Sequence, residues 1–138
     1  MANLGIIAEF NPFHNGHKYL YSEAVKKCKA DNVIALMSGN FIQRGAPAMA
    51  DKYSRAEAAV IGGIDAVFEL PVIYATGSAR DFAAGAVAIL NEMKIIDYIA
   101  FGVEDDVPEF FDEVTDILAN EPKEYKDALN ENLTKGFS

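Results

Sequence analysis

Two histidines, the chain's full complement, stand three residues apart in Asn11-Pro12-Phe13-His14-Asn15-Gly16-His17, directly after the apolar run Leu4-Gly5-Ile6-Ile7-Ala8. The run reads as a short buried strand and Asn11-Pro12 as a turn. Leu20, Ala24, Val25 and Cys28 then form the buried face of a helix beginning near Gly16. The histidines therefore lie on a strand-to-helix junction. There the first helical N–H groups lack intrahelical partners and the helix dipole is positive, so anions, phosphates above all, bind readily. At positions i and i+3 of a first helical turn, both rings can face one ligand. Imidazole donates a hydrogen bond to a phosphate oxygen when neutral and adds charge when protonated, so the pair could stabilise negative charge developing on a triphosphate. Gly16 is read as letting a planar ligand approach the backbone, and Pro12 as biasing Asn11 towards an extended conformation.

A second polar set follows the next apolar run. The loop from Ser38 to Pro47 contributes Ser38, Asn40, Gln43 and Arg44, an arginine fork and amide groups suited to a carboxylate or phosphate. Asp51, Lys52 and Arg55 extend the set, and fit helix capping and exposed charge equally well. Zinc is the rival chemistry for the histidines, but it would need carboxylates such as Glu9 or Asp51 to complete tetrahedral coordination. Magnesium carried by nucleotide phosphates suits the residues better, and no resident metal is expected. Neither G-x-G-x-x-G nor G-x-x-x-x-G-K-[ST] occurs, which argues against a dinucleotide-binding domain and a P-loop enzyme.

The elements that must position these residues alternate. After the first strand and helix, residues 33–37 read as a strand. A helix is expected from about Tyr53, with Ala56, Ala59, Val60 and Gly63 at helical spacing and Asp51 and Ser54 as plausible caps. Residues 66–70 form a strand halted by Pro71, and residues 79–93 a helix whose core face is Phe82, Ala86, Ile89, Leu90 and Met93. A fourth strand spans residues 96–101 and ends at Gly102. This order predicts right-handed crossovers and a doubly wound parallel α/β sheet with helices on both faces. Ligands of such sheets bind beyond the carboxyl ends of the strands, and each unusual loop here follows a strand. From about Pro108 to Lys135 the sequence reads as two short helices separated near Asn120-Glu121-Pro122.

Composition sets the frame. A chain of 138 residues that is 51% hydrophobic can bury a core as one domain. It has no secretory signal pattern and no apolar run near the roughly 18 residues of a membrane span, so the expectation is a soluble cytoplasmic protein with no membrane partner. Cys28, the single cysteine, falls on the first helix's apolar stripe as an inert thiol. Residues 1–102 carry 10 acids and 9 bases, whereas residues 103–138 carry 11 acids and 3 bases. The acidic end is a poor candidate for gripping RNA, and reads as a solvated helical face. The expected organisation is a nucleotide-binding core over residues 1–102 and an acidic helical extension over residues 103–138.

The junction resembles the H-x-G-H motif of the nucleotidyltransferase superfamily, whose fold is the Rossmann-like HUP type. A longer ordered series runs Glu9 to His17, Met37 to Gly45, Asp51-Lys52, Arg55-Ala56-Glu57, Glu69-Leu70-Pro71 and Phe101-Gly102. It is similar to the bacterial tRNA(Met) cytidine acetate ligase family. The resemblance implies a two-step reaction. Acetate attacks the α-phosphate of ATP, giving acetyl-adenylate and pyrophosphate, and the acetyl group passes to N4 of the wobble cytidine of elongator tRNA(Met). By carry-over, ATP would be bound by Ile7, Ala8, Glu9, Phe10, Asn11, Pro12, Phe13, His14, Asn15, Gly16, His17, Lys18, Tyr19, Leu20 and Gly102. His14 and His17 would act on the phosphates. Family members are longer, so the resemblance also implies an RNA-binding portion beyond Ser138. Two alternatives stay open: nucleotidyl transfer to a small cofactor precursor, and a nucleotide-binding module without turnover.

Overall fold

Leu4 and Ile6 pack on one side of the first strand, Gly5 and Ile7 on the other, so this strand is covered on both faces and needs a continuous apolar run. The computed structural model describes residues 1–103 and 108–136, leaving aside the side chains of Arg44 and of residues 108–110. Its elements are β1 (Asn3–Ala8), α1 (Asn15–Cys28), β2 (Asn32–Ser38), α2 (Lys52–Ile61), β3 (Ala66–Leu70), a single turn α3 (Val72–Ala75), α4 (Ala79–Glu92), β4 (Tyr98–Ala100), α5 (Pro108–Asn120) and α6 (Lys123–Thr134). The chain divides into two compact units, Met1–Gly102 and Val103–Ser138.

In the first unit the four strands run parallel in the order β3-β2-β1-β4. One face of the sheet packs Leu4, Ile6, Val33, Ala35 and Met37 against Ala24 of α1 and Ala59 of α2. The other packs Leu36 and Leu70 against Ala75 of α3 and Ala86 and Leu90 of α4. The expected doubly wound sheet is what forms. Strand order reverses between β1 and β4, which makes the carboxyl ends of those two strands the switch point. Gly5 faces α4 so closely that an added Cβ would stand 2.8 Å from Leu90 Cδ1, so glycine lets that helix settle on the sheet. Cys28 is half-buried against the first cluster, as its stripe required.

Four details differ from the sequence reading. The fourth strand is shorter than residues 96–101, and side chains tie the chain entering it to β1: Asn3 N–H donates to Asp97 Oδ2 at 2.8 Å, and Asn3 Nδ2 to the Ile95 carbonyl at 2.8 Å, beside one backbone bond from Asp97 N–H to the Asn3 carbonyl at 2.9 Å. Pro71 ends β3, yet the residues after it wind into α3 instead of a loop, where Thr76 Oγ1 donates to the Val72 carbonyl. Ser54 does not cap α2; Asp51 does, and Ser54 Oγ donates to it. Helix α2 is also rotated from the expected stripe. Val60 is 49% exposed and the buried pair is Arg55 and Ala59, because the Arg55 guanidinium finds partners inside.

The second unit consists of α5 and α6. Exposed Phe111, Val114, Ile117 and Leu118 recur at helical spacing on α5, and α6 carries an i,i+4 pair, Lys135 to Glu131, at 2.6 Å. Among the described residues no helix is long and apolar enough to cross a membrane.

Truncating Leu90, fully buried under the sheet, to alanine is expected to cost about 2–5 kcal/mol, while Val60→Ala on the outer side of α2 costs under about 0.5 kcal/mol. Urea unfolding of the two variants checks both the core and the rotation of α2.

Candidate functional site

Helix α1 begins on an unusual cap. His14 is its N-cap residue, extended at φ −142°, and the Gly16 N–H donates to His14 Nδ1 at 3.1 Å. In return the His14 N–H donates to His17 Nδ1 at 3.3 Å. This is a capping box made of two imidazoles, where serine and glutamate would be usual. Its consequence is chemical. An acceptor Nδ1 carries no proton, so each neutral ring holds its hydrogen on Nε2 and presents that atom as a donor. The hydrogen-bond pattern thus selects one tautomer for both histidines.

The rings are held together. Their centroids lie 3.9 Å apart at 30°. The Phe10 ring meets His17 edge-on at 5.0 Å and the Phe13 ring stacks on it at 5.7 Å. Phe10 is buried in a left-handed backbone conformation, φ 48°, a conformation costing about 1 kcal/mol that packing must maintain. Half-buried in this aromatic setting and next to His14, His17 has its pKa lowered, first by desolvation and then by its neighbour's charge. It is therefore a neutral donor near pH 7.

Gly16 has a different job from the one expected. An added Cβ would stand 2.9 Å from His14 Cε1 and 3.1 Å from its Nδ1, so glycine makes room for the capping ring itself. Of the segment from Ile7 to Leu20, the residues Pro12, His14, Asn15, Gly16, Lys18 and Tyr19 are exposed. Ile7, Ala8, Glu9, Asn11, Phe13, His17 and Leu20 are half-buried, and Phe10 is buried, so its side chain reaches a ligand only through His17. No acid occupies the first turn of α1. The positive end of this 14-residue helix is left uncompensated, with Lys18 beside it. Gly102 lies two residues past Ala100, the β4 partner of Ile6, and an added Cβ there meets nothing within 4 Å. The turn after β1 and the residue after β4 thus flank the switch point.

Of the second polar set, Ser38 and Arg55 turn inward. Arg55 is 2% exposed, and its guanidinium donates to four backbone carbonyls: Nε to Ala50 at 3.1 Å, Nη1 to Glu9 at 2.7 Å, and Nη2 to Ser38 at 3.0 Å and to Gly39. Burial lowers its pKa while the carboxylates of Glu9, Asp51 and Glu69 oppose that shift. It is a structural cation, which corrects its reading as a substrate contact. Asp51 caps α2 by accepting from Tyr53 N at 2.9 Å and Ser54 N at 3.0 Å, and the bonds to Ser54 hold its carboxyl below the usual range. Asn40 Oδ1 accepts from Lys52 N at 3.3 Å. Gln43 contributes its backbone, N to Glu9 Oε1 at 2.6 Å. Ser38 is fully buried and its Oγ makes no hydrogen bond among the described residues. The Arg44 side chain lies outside the described residues.

Lys52 is half-buried and pairs by its side chain with a residue of another element. Its Nζ pairs with Glu69 Oε2 at 2.5 Å, which raises the lysine pKa, and Glu69 also lies across Gly39. Sequence reasoning singled out Lys52 but gave no role to Glu69, although Glu-Leu-Pro closes β3 at the same edge as Lys52. It also gave none to Asn11 as a strut, whose Oδ1 accepts from Met49 N at 2.7 Å. The carboxylates a zinc ion would have needed, Glu9 and Asp51, are both engaged by backbone N–H groups. Among the described residues no group of three or more His, Cys, Asp or Glu is placed to hold a metal.

Comparison with known proteins adds relatives to this geometry. The family described as HIGH Nucleotidyl Transferase matches residues 1–138. The chain is 54% identical over 138 residues to the tRNA(Met) cytidine acetate ligase of Caldanaerobacter subterraneus subsp. tengcongensis, covering all of this chain and 34% of that protein. It is 48% identical over 130 residues to the Thermotoga maritima protein of the same name. The crystal structure of Thermotoga maritima TmcAL bound with alpha-thio ATP superposes with a TM-score of 0.87 at 48% identity, over all of this chain and 34% of that one. The chain thus spans about a third of the length of the curated relatives it matches.

The depressed His17 pKa has a sign. Below about pH 6.5 the unfolded chain binds a proton that the folded chain refuses, so stability falls as pH drops from about 6.5 towards the lowered value and levels off beneath it. Melting temperatures of the parent and His17→Gln between pH 7.5 and 5 check this: the variant is expected to show the shallower fall.

Proposed function

The chain belongs to the HIGH nucleotidyl transferase family, and from that premise we propose that it is the ATP-activating portion of a tRNA(Met) cytidine acetate ligase. The observation that carries the reading is the reciprocal histidine cap. It supplies two Nε2–H donors at the uncompensated positive end of a helix, beside a sheet switch point, in a chain 54% identical to a protein of that name. ATP would lie across the switch point, with its phosphates towards residues 7–20 and the nucleoside towards Gly102. Magnesium would arrive on the triphosphate, neutralising phosphate charge without a protein cage of its own.

In the first step a carboxylate oxygen of acetate forms a bond to the α-phosphorus, and the bond to the bridging oxygen of pyrophosphate breaks. Negative charge grows on the phosphate oxygens. His14 and His17 stabilise it by donating from Nε2, and because their Nδ1 atoms are already bonded to backbone, neither ring reorganises as charge develops. Phe10 and Phe13 fix His17 in place, so the gain comes from position and electrostatics. No covalent enzyme intermediate is needed. In the second step the exocyclic amine of cytidine attacks the acetyl carbon, the bond from that carbon to the AMP oxygen breaks, and AMP and one amine proton leave. The elongator tRNA(Met) would be held by regions of a longer protein, in the cytoplasm, since residues 103–138 are strongly acidic.

A full-length protein containing this chain, incubated with ATP, labelled acetate and elongator tRNA(Met), is expected to form N4-acetylcytidine at the wobble position; pyrophosphate release supported equally by unrelated carboxylates or phosphate esters, without acetylation, would overturn the reading. His14→Ala and His17→Ala are each expected to slow pyrophosphate formation by about 100- to 1,000-fold.

A further inference from the structure

We infer that Arg55 is a positioning residue for the histidine turn, acting from inside the protein through the backbone of Glu9. The four carbonyls it binds come from two different loops. Glu9 opens the turn after β1, Ser38 and Gly39 open the loop after β2, and Ala50 closes that loop just before α2. One planar group therefore clamps the carboxyl ends of the two central strands and the start of a helix.

The link to the chemistry runs through three residues. Nη1 holds the Glu9 carbonyl at 2.7 Å, which fixes the peptide leading into Phe10. Phe10, at φ 48°, can keep its left-handed backbone only while its neighbours are held, and its ring sets the edge against which His17 stands at 5.0 Å. His17 in turn accepts the His14 N–H. Two further struts, Gln43 N to Glu9 Oε1 at 2.6 Å and Met49 N to Asn11 Oδ1 at 2.7 Å, tie the same turn to the same loop. The loop that carries the second polar set thus serves as a buttress. Arginine is required rather than lysine because acceptors spread over two loops call for several N–H groups in a fixed fork, which an ammonium cannot reach together.

This inference rests on reading the turn as the ATP site, and its test separates the two. The parent chain, Arg55→Lys, Arg55→Gln and a control, Leu90→Ala in the opposite-face cluster, are compared at a temperature where circular dichroism shows each fully folded. Arg55→Gln strands no charge in the interior and serves if the lysine variant fails to fold. Long-range proton–nitrogen NMR reads the histidine tautomers without any ligand. The parent and Leu90→Ala are expected to show both rings with hydrogen on Nε2, and the Arg55 variants a mixture. ATP affinity by calorimetry is expected to drop about 100-fold in the Arg55 variants and stay within about threefold in the control. Unchanged tautomers in the Arg55 variants, or an equal disturbance in Leu90→Ala, overturn the positioning role. Disturbed tautomers with no ATP binding even by the parent uphold that role and overturn the nucleotide reading.

Discussion

Where parallel strands end, their last carbonyls point beyond the ladder and need partners that the sheet cannot supply. Here Glu9, Ser38 and Gly39, at the ends of β1 and β2, find them in one buried guanidinium that also takes the Ala50 carbonyl. Taking a cation out of water costs several kcal/mol, and that cost is offset only when every N–H is well placed. The carboxylates of Glu9, Asp51 and Glu69 surround it and favour the charged form. Removing the guanidinium would leave four carbonyls competing for water in a space closed by α2. That one side chain joins both loops, and the bonds from Gln43 N to Glu9 Oε1 and from Met49 N to Asn11 Oδ1 add to the tie.

Much of the fold could be read from residue order alone, because β1 to β3 are short apolar runs punctuated by glycine, asparagine and proline. Apart from the turn α3 and the shorter β4, the elements of the first unit emerged where periodicity placed them, and a parallel sheet with helices on both faces followed from their alternation. What escaped were features set by a partner distant in sequence. Arg55 reads as an exposed charge on a helix, and only the carbonyls of residues 9, 38, 39 and 50, brought together by the sheet, turn it inward. That inward turn rotates α2 and exposes Val60.

The site divides in the same way. The placement of the histidine pair was legible because it is local: two rings, one helical turn, a position after a strand. The reason for Gly16 was not, since the ring that fills the space of its missing Cβ belongs to His14, whose rotamer no sequence pattern encodes. Asn40, Gln43 and Asp51 read as contacts for a carboxylate or phosphate, whereas in the fold Asn40 and Asp51 satisfy backbone N–H groups and Gln43 offers its own. Polarity at a ligand edge does not distinguish a residue that meets a substrate from one that holds a loop.

The choice of cap explains why one helix end can serve an anion. Helix α2 is capped by Asp51, and α4 begins with the Ser78–Asp81 capping box, so each has a carboxylate at its positive end. Either arrangement stabilises the helix and at the same time neutralises the field that a phosphate would use. Helix α1 satisfies the equivalent N–H groups with neutral nitrogen lone pairs and places no acid in its first turn. Its dipole stays available. The same bonds push the histidine hydrogens onto Nε2, so capping and donor preparation are one act, and protonating either ring at Nδ1 would break a cap bond. A serine at position 14 could cap the helix but would add no second donor. An aspartate there would cap it better and repel a phosphate.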